Sequence, residues 1–434
     1  MAGPEVALLL FGVFFALLIV RVPVAFALGL ACVPVFFIEE RLSPSLLLSE
    51  MLKSYNSFLL LAIPFFLLAA NLMNAAGITD RLVTLARTMV GHLPGGLGHV
   101  NVVVSMLFAG ISGSSTADAA GVGGVMIPAM KAQGFDARFT VALTACASVM
   151  GVIIPPSILM VVWGGVISVS IGGLFLAGVL PGLLIGLALM GSVVLYARRH
   201  GYAVAPRATL REFAIAILRA AVPLLTPGII VGGIVGGLFT PTEASVVAVA
   251  YAALLGLLVY RTVRPSQIPK ILYESARFAA VSLFCIGTAS AFGWLLAYFR
   301  IPQIFVDWVS AFGGGITSVG FIVAGAFLVI GCFIDAIPAI IILGTILAPL
   351  AASVGMHPVH FAIIGVISIS FGLVTPPYGL CLMISAALGG ISVRAAMRET
   401  LFLLVPMLGV LAFVILWPDA MLALPRYVMP NFVK

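Results

Sequence analysis

Seven glycines and prolines in the first half of the chain meet the same residue type 221 positions later. Gly110 pairs with Gly331, Gly123 with Gly344, Pro128 with Pro349, Gly134 with Gly355, Gly151 with Gly372, Pro155 with Pro376 and Pro156 with Pro377. Matches in these two residue types, without a gap, signify a shared backbone path more than shared side chains. Whole segments follow the same offset: the first apolar run maps onto 224–237, the third onto about 278–298, and the amphipathic stretch 78–90 onto 302–311. The chain therefore divides into two copies of one plan, 1–221 and 222–434.

The medium follows from composition. Of 434 residues, 63% are hydrophobic and 8% charged, where an ordinary soluble domain carries about 25% charged residues. At about 20 residues per crossing, the apolar runs supply roughly ten spans and two hairpins, leaving no length for a soluble domain. The net charge of +7 is scattered through short connections, which argues against a nucleic-acid surface and for topology marks. Arg21, the cluster Arg198, Arg199, Arg207 and Arg211, the loop Arg261, Arg264 and Lys270, and Arg394 with Arg398 are placed inside. The acidic Glu39-Glu40 loop is placed outside. The first apolar run has no basic residue before it, so a retained span with its amino terminus outside is expected rather than a cleaved signal. All five cysteines fall within apolar runs without paired spacing, and free thiols used for packing are expected. Each copy holds an odd number of crossings plus a hairpin, so the second copy must be inverted.

Four interruptions carry the chemistry. Ser112-Gly113-Ser114-Ser115-Thr116-Ala117-Asp118 lies between apolar runs too short to cross separately, which gives a re-entrant hairpin over about 97–131. Ile154-Pro155-Pro156-Ser157 breaks the next helix, about 139–168. In the second copy a hairpin over about 316–352 turns at Asp335 and Pro338, and the helix of about 359–388 breaks at Val374-Thr375-Pro376-Pro377-Tyr378-Gly379. A proline has no amide hydrogen, so the carbonyls of Gly151 and Val152, and of Gly372 and Leu373, lose their helical donors. Such groups persist at membrane depth only where protein, water or an ion meets them. Carbonyls and hydroxyls suit a small hard cation. The helix amino ends after Ser115, Asp335, Pro156 and Pro377, with their unpaired amides, suit an anionic group. The expected fold is an all-α polytopic membrane protein, an inverted repeat with two re-entrant hairpins and two broken helices. The expected activity is ion-coupled carriage of carboxylates. Two Na+ would release about 7.4 kcal/mol and a dianion would cost about 4.6, at about 2.3 per charge per 100 mV and about 1.4 per tenfold gradient. The remainder supports roughly hundredfold accumulation without ATP, and no GxxxxGK[ST] phosphate loop is present.

Several residues fit two roles. Ser115-Thr116-Ala117-Asp118 also matches a capping box, so Asp118 serves either a helix start or an ion. Asp335 is either a helix cap or a ligand. Glu243, in Phe239-Thr240-Pro241-Thr242-Glu243-Ala244, suits helix capping. His357 and His360 are expected near the outer surface, solvated. The few histidines and acids are dispersed, so no enzyme is expected.

The four motifs Gly113–Asp118, Ile154–Ser157, Phe239–Ala244 and Thr375–Gly379, in this order along essentially the full chain, resemble the large membrane (M, DctM-like) subunit of tripartite ATP-independent periplasmic (TRAP) transporters. The resemblance implies an elevator-type carrier of the ion-transporter superfamily in the bacterial inner membrane. It further implies a small four-helix membrane subunit and a periplasmic substrate-binding protein as partners, and Na+-coupled import of an organic acid. By position, the first Na+ site would use Ser112, Gly113, Ser114 and Ser115 with Gly151, Val152 and Pro155. The second would use Asp335 with Gly372, Leu373, Thr375 and Pro376. Substrate would meet Ser115, Thr116, Asp118, Pro156, Ser157, Pro377 and Tyr378. No fused small subunit is expected, because the chain begins directly with the first span. A stand-alone Na+/anion symporter of the same architecture is the alternative.

Overall fold

The computed structural model describes residues 3–202, 206–310 and 314–430, and every regular element among them is helical. Helices satisfy their own backbone groups, as hydrocarbon demands of any lipid-exposed segment. Among the described residues, seven helices of at least 18 residues are apolar enough to cross a bilayer. One of these, Ala336–Ser353, is the return arm of a hairpin, so length alone does not decide what crosses. The two N-terminal helices, Gly3–Ile19 and Val24–Ile38, have 17 and 15 residues and fall short of that length.

The repeat is visible element by element. The first hairpin is Gly96–Ser112 and Ser115–Ala132, and the second is Ile316–Gly331 and Ala336–Ser353. Each hairpin precedes an interrupted helix: Ala137–Ser148 with the 3-10 turn Val149–Val152 and then Ile158–Ile167, or Pro358–Gly372 and then Leu380–Gly389. The amphipathic helix Ile78–Val90 buries Ile78, Leu82, Leu85 and Ala86 against Leu210–Val235 and Gly96–Ser112. Its counterpart is Ile301–Ser310; Ala311, expected to end it, lies outside the described residues. One element departs from the plan. The second copy has a continuous 31-residue helix, Ile268–Tyr298. The first has Ser45–Tyr55 and then Phe58–Ala75, because Asn56 and Ser57 leave helical dihedrals with ψ of 39° and 116°.

The two copies interlock by exchange. Ser115–Ala132 of the first hairpin packs on Leu380–Gly389, while Ala336–Ser353 of the second packs on Ile158–Ile167. The matched glycines explain how. A Cβ on Gly123 would lie 3.1 Å from Leu388 Cδ1, and one on Gly344 would lie 2.9 Å from Ile167 Cδ1. Leu388 and Ile167 are themselves 221 positions apart, so the same knob enters the same hole twice. Trp163, fully buried, crosses the boundary as well, edge-on to Phe361 at 5.2 Å and tilted on Phe327 at 5.6 Å. Gly365 makes room for its ring, since a Cβ there would stand 2.5 Å from Trp163 Cζ2. Gly134 and Gly355 close the two return arms at φ of 82° and 73°, a left-handed conformation that favours glycine.

The expectation for His360 is overturned. Its side chain is buried, with Nε2 2.8 Å from the carbonyl of Val414, because the helix Val393–Leu416 covers it. His357 accepts from the Val359 amide at 3.1 Å and caps the helix start.

Inversion of the copies sets a direct test. Ala132 and Ser353 are equivalent, exposed positions, and all five native cysteines are buried. Ala132→Cys is expected to react with an impermeant maleimide only from the inside, and Ser353→Cys only from the outside. Labelling of both from one face would contradict the inverted arrangement.

Candidate functional site at the two hairpin tips

The first tip is closed, with Ser112, Gly113, Ser115 and Asp118 buried. Gly113 turns at φ 64°, and its carbonyl accepts the Ile158 amide at 3.1 Å, which ties the hairpin to the helix beyond Pro155-Pro156. A Cβ on Gly113 would lie 3.0 Å from the Pro156 carbonyl, so the two turns touch backbone to backbone. Ser114 caps the return arm, its Oγ accepting the Ala117 amide at 3.4 Å and lying 3.0 Å from Thr116 Oγ1.

Asp118 does something else. Its Oδ1 accepts from the Ser112 hydroxyl, while Oδ2 is buried with no hydrogen-bond partner. The predicted Ser115-to-Asp118 capping box is therefore absent. Ser114, one residue earlier, holds the cap position, which puts Asp118 in the fourth helical position and turns its carboxylate inward. A Cβ on Gly151 would collide with that carboxylate and stand 3.0 Å from the Ser114 carbonyl. The glycine before the break thus lets the carboxylate lie directly on the backbone of the Val149–Val152 turn. A buried carboxylate oxygen without a donor is costly unless a cation or water meets it.

The carbonyls freed by the prolines are less free than the sequence suggests. Val152 accepts from the Ser157 hydroxyl at 2.6 Å, Gly372 from the Thr375 amide at 3.0 Å, and Leu373 from the Cys381 amide at 3.0 Å. Each break folds back on itself, so local donors replace the missing helical ones. One lone pair on each oxygen is left over. The helix amino ends are likewise partly occupied, Met160 N by Ser157 Oγ at 3.3 Å and Ala336 N by Asp335 Oδ1 at 2.7 Å.

The second tip is open. Asp335 caps Ala336–Ser353, and its carboxylate is exposed to a cavity of about 950 Å3 that Pro377 and Tyr378 also line. The far wall comes from the N-terminal helices, with Arg21, and from Ser282 and Cys285 of Ile268–Tyr298. The structure brings Asp335, Pro377 and Tyr378 together at this cavity, whereas Gly372, Leu373, Thr375 and Pro376 stand behind it. Thr375 donates its hydroxyl to the Phe371 carbonyl at 2.8 Å, and the Tyr378 amide reaches the Cys332 carbonyl at 2.9 Å. Two residues escaped the sequence reading. Cys381, buried just beyond the second break, donates its amide to the Leu373 carbonyl at 3.0 Å and so closes that break. Its place directly after a broken helix was the available signal. Arg21, treated as a topology mark, faces the cavity.

Glu243 fulfils the capping reading: its Oε2 accepts the Thr240 amide at 2.8 Å, and Thr240 Oγ1 accepts the Glu243 amide at 3.3 Å.

Residues 11–420 match the family described as tripartite ATP-independent periplasmic transporter, DctM component. The chain belongs to that family. Its large permeases work with a small membrane subunit and a periplasmic binding protein. This DctM-family chain is 37% identical, over 94% of its length and 96% of the relative, to the sialic acid TRAP transporter large permease protein SiaM of Vibrio cholerae. It is 39% identical, over 87% of its length and 88% of the relative, to the C4-dicarboxylate TRAP transporter large permease protein DctM of Pseudomonas aeruginosa. The YdaH transporter of Alcanivorax borkumensis, described as having an unusual topology, shares the fold. It superposes with a TM-score of 0.56 at 14% identity, over 85% of this chain and 89% of that one.

The glycine before each break sets the packing tolerance. A Cβ on Gly372 would stand 2.6 Å from the backbone of Gly331, whereas one on Gly124 would meet nothing within 4 Å. Gly372→Ala is expected to cost about 1–3 kcal/mol and to lower the thermal midpoint. Gly124→Ala should be neutral or stabilising by about 0.5–1 kcal/mol. Equal midpoints for the two variants would contradict the close approach.

Proposed function

We propose that this chain is the Na+-coupled importer of an organic acid anion delivered by a periplasmic binding protein, working beside a small four-helix subunit in a bacterial inner membrane. The single observation that carries the reading is the carboxylate of Asp118, buried with Oδ2 unpartnered against Gly151 and the Ser114 carbonyl. Na+ is the cargo that such an oxygen set takes. In this reading the Asp118 carboxylate joins Ser112, Gly113, Ser114 and Ser115 with Gly151, Val152 and Pro155 in holding one Na+. Asp335, Gly372, Leu373, Thr375 and Pro376 hold a second. The Thr375 hydroxyl donates to a carbonyl, so its oxygen presents lone pairs and suits a cation. The acid lies between, among Ser115, Thr116, Asp118, Pro156, Ser157, Pro377 and Tyr378, drawn by the helix amino ends and by Na+ bound first. Na+ offsets the negative charge of Asp118 and Asp335, which would otherwise repel an anion at a few ångströms. This gives the coupling a simple origin: without cations the site rejects its substrate.

The cavity at Asp335 supports an elevator movement. It separates the second tip from the N-terminal helices, which is where a unit of hairpins and broken helices would slide past a fixed frame. Relatives are named for sialic acid and C4-dicarboxylates, which are carboxylates, and for isethionate, a sulfonate, so an organic acid anion is the shared chemistry of the cargo.

Two measurements test the proposal. In detergent, NaCl but not KCl should raise the thermal midpoint, by an amount equivalent to about 2.7 kcal/mol at a hundred times Kd, and Asp118→Asn should reduce that shift. An identical response to K+, or an undiminished one in Asp118→Asn, would remove the first cation site. In proteoliposomes holding both membrane subunits, labelled acid should accumulate only with an inward Na+ gradient and the binding protein. Ser114→Leu and Thr375→Leu should abolish uptake while expression is retained. Uptake by this chain alone would favour a stand-alone symporter.

A further inference from the structure

Away from the tips, a cavity of about 670 Å3 lies where the helix Ile78–Val90, both ends of the first hairpin and the start of Leu210–Val235 meet. Arg87, Arg207 and Arg219 line it. Among the described residues no ion pair joins any of the three to a carboxylate. Glu212, the acid at this cavity, turns its carboxylate to Thr209, accepting the amide at 2.7 Å and the hydroxyl at 2.9 Å. A neighbouring cavity of about 530 Å3 shares Arg219, but its Arg81 is engaged by the Gly77 carbonyl at 3.1 Å and the Tyr260 ring at 3.5 Å. Three guanidinium groups thus line one space with a single carboxylate, a net positive charge, and none of them is ion-paired to it.

The rim of that space is apolar and uncovered. Ile215 lines it, and Leu218, which lines the neighbouring cavity on the same helix, is 72% exposed. Arg207 belongs to the basic cluster that marks the inside face. A basic pocket between helices on that face, open to an apolar flank, has the polarity of a phospholipid turned outside in. Guanidinium groups are the side chains best suited to a phosphate diester, which they meet with paired N–H donors.

We propose that this cavity holds the headgroup phosphate of an anionic phospholipid of the inner leaflet, with its acyl chains running along Ile215 and Leu218. Such a lipid joins the base of the first hairpin, at Gly96 and Gln133, to the helix Leu210–Val235. It shares no residue with the tips, so it stands or falls apart from the transport reading.

The test uses the intact protein in detergent, stripped of lipid, with the thermal midpoint followed against phosphatidylglycerol, phosphatidylcholine and glycerol 3-phosphate. Phosphatidylglycerol is expected to raise the midpoint; the zwitterionic lipid and the soluble phosphate are not. Arg87→Gln/Arg219→Gln should weaken the apparent affinity for phosphatidylglycerol by about tenfold or more, the loss of a charge-assisted contact. Arg264→Gln, which lines neither cavity, should leave it unchanged. Arg207→Gln, on a connection rather than in a helix, carries the same test should the double variant fail to fold. Equal stabilisation by phosphatidylcholine would overturn the proposal, as would saturation by glycerol 3-phosphate alone. Undiminished phosphatidylglycerol affinity in both Arg87→Gln/Arg219→Gln and Arg207→Gln would do the same.

Discussion

The exchange of half-helices between the two copies is the constraint from which the rest of the structure follows. A hairpin that enters a bilayer and returns leaves its tip with unpaired backbone groups, and hydrocarbon offers them nothing. Each tip here is met by the break in its own copy's next helix, Gly113 by Ile158 and Cys332 by Tyr378. Each return arm is then covered by the short half-helix of the other copy. Each arm packs on its own copy's next helix, Ala137–Ser148 or Pro358–Gly372, and on the other copy's half-helix as well. Gly123 and Gly344 are the places where the exchange is tight enough to exclude a side chain.

The same plan is realised with different polar contents at its two centres. At the first, a carboxylate sits at the end of the return arm's first turn, bonded to Ser112 and otherwise unpartnered. At the second, the equivalent turn spends its carboxylate on capping the return arm and opens it to a cavity. Backbone symmetry survives because glycine and proline fix it. Chemical symmetry does not, because the residues between them differ: Asp118 maps onto Ala339, and Asp335 onto Ser114. Both centres nonetheless contribute one acid, Asp118 at the first and Asp335 at the second.

Much of this was legible in the chain. The amphipathic helix is bounded at Ile78 and Val90 as its periodicity predicts, and the hairpins at 96–132 and 316–353 lie within a residue of expectation. Those limits are written by glycine, proline and charge, which act locally. What the sequence did not disclose depends on how the chain folds back on itself, near the breaks and over longer distances. The carbonyls of Val152 and Leu373 find donors only once Ser157 and Cys381 fold back on them. The burial of His360 needs Val414, 54 residues away. The register of the cap at Ser114 rather than Ser115 is a single-residue choice between two serines, and propensity does not separate identical residues. That one-residue difference decides whether Asp118 serves a helix start or faces inward.

The placement of Asp118 also shows why glycine rather than alanine stands four residues before the first Pro-Pro pair. Alanine would cost little in a helix and would even favour one. Its methyl group would occupy the volume of the carboxylate and force Asp118 to turn away from the break. A carboxylate displaced in this way would be free to cap amides, as Asp335 does, and the first tip would lose its unpartnered oxygen. The second Pro-Pro pair keeps its glycine for another reason, the approach of Gly331 backbone to Gly372 backbone. One conserved position in the repeat thus answers to two constraints, a polar one in the first copy and a steric one in the second, and the shared residue type conceals that difference.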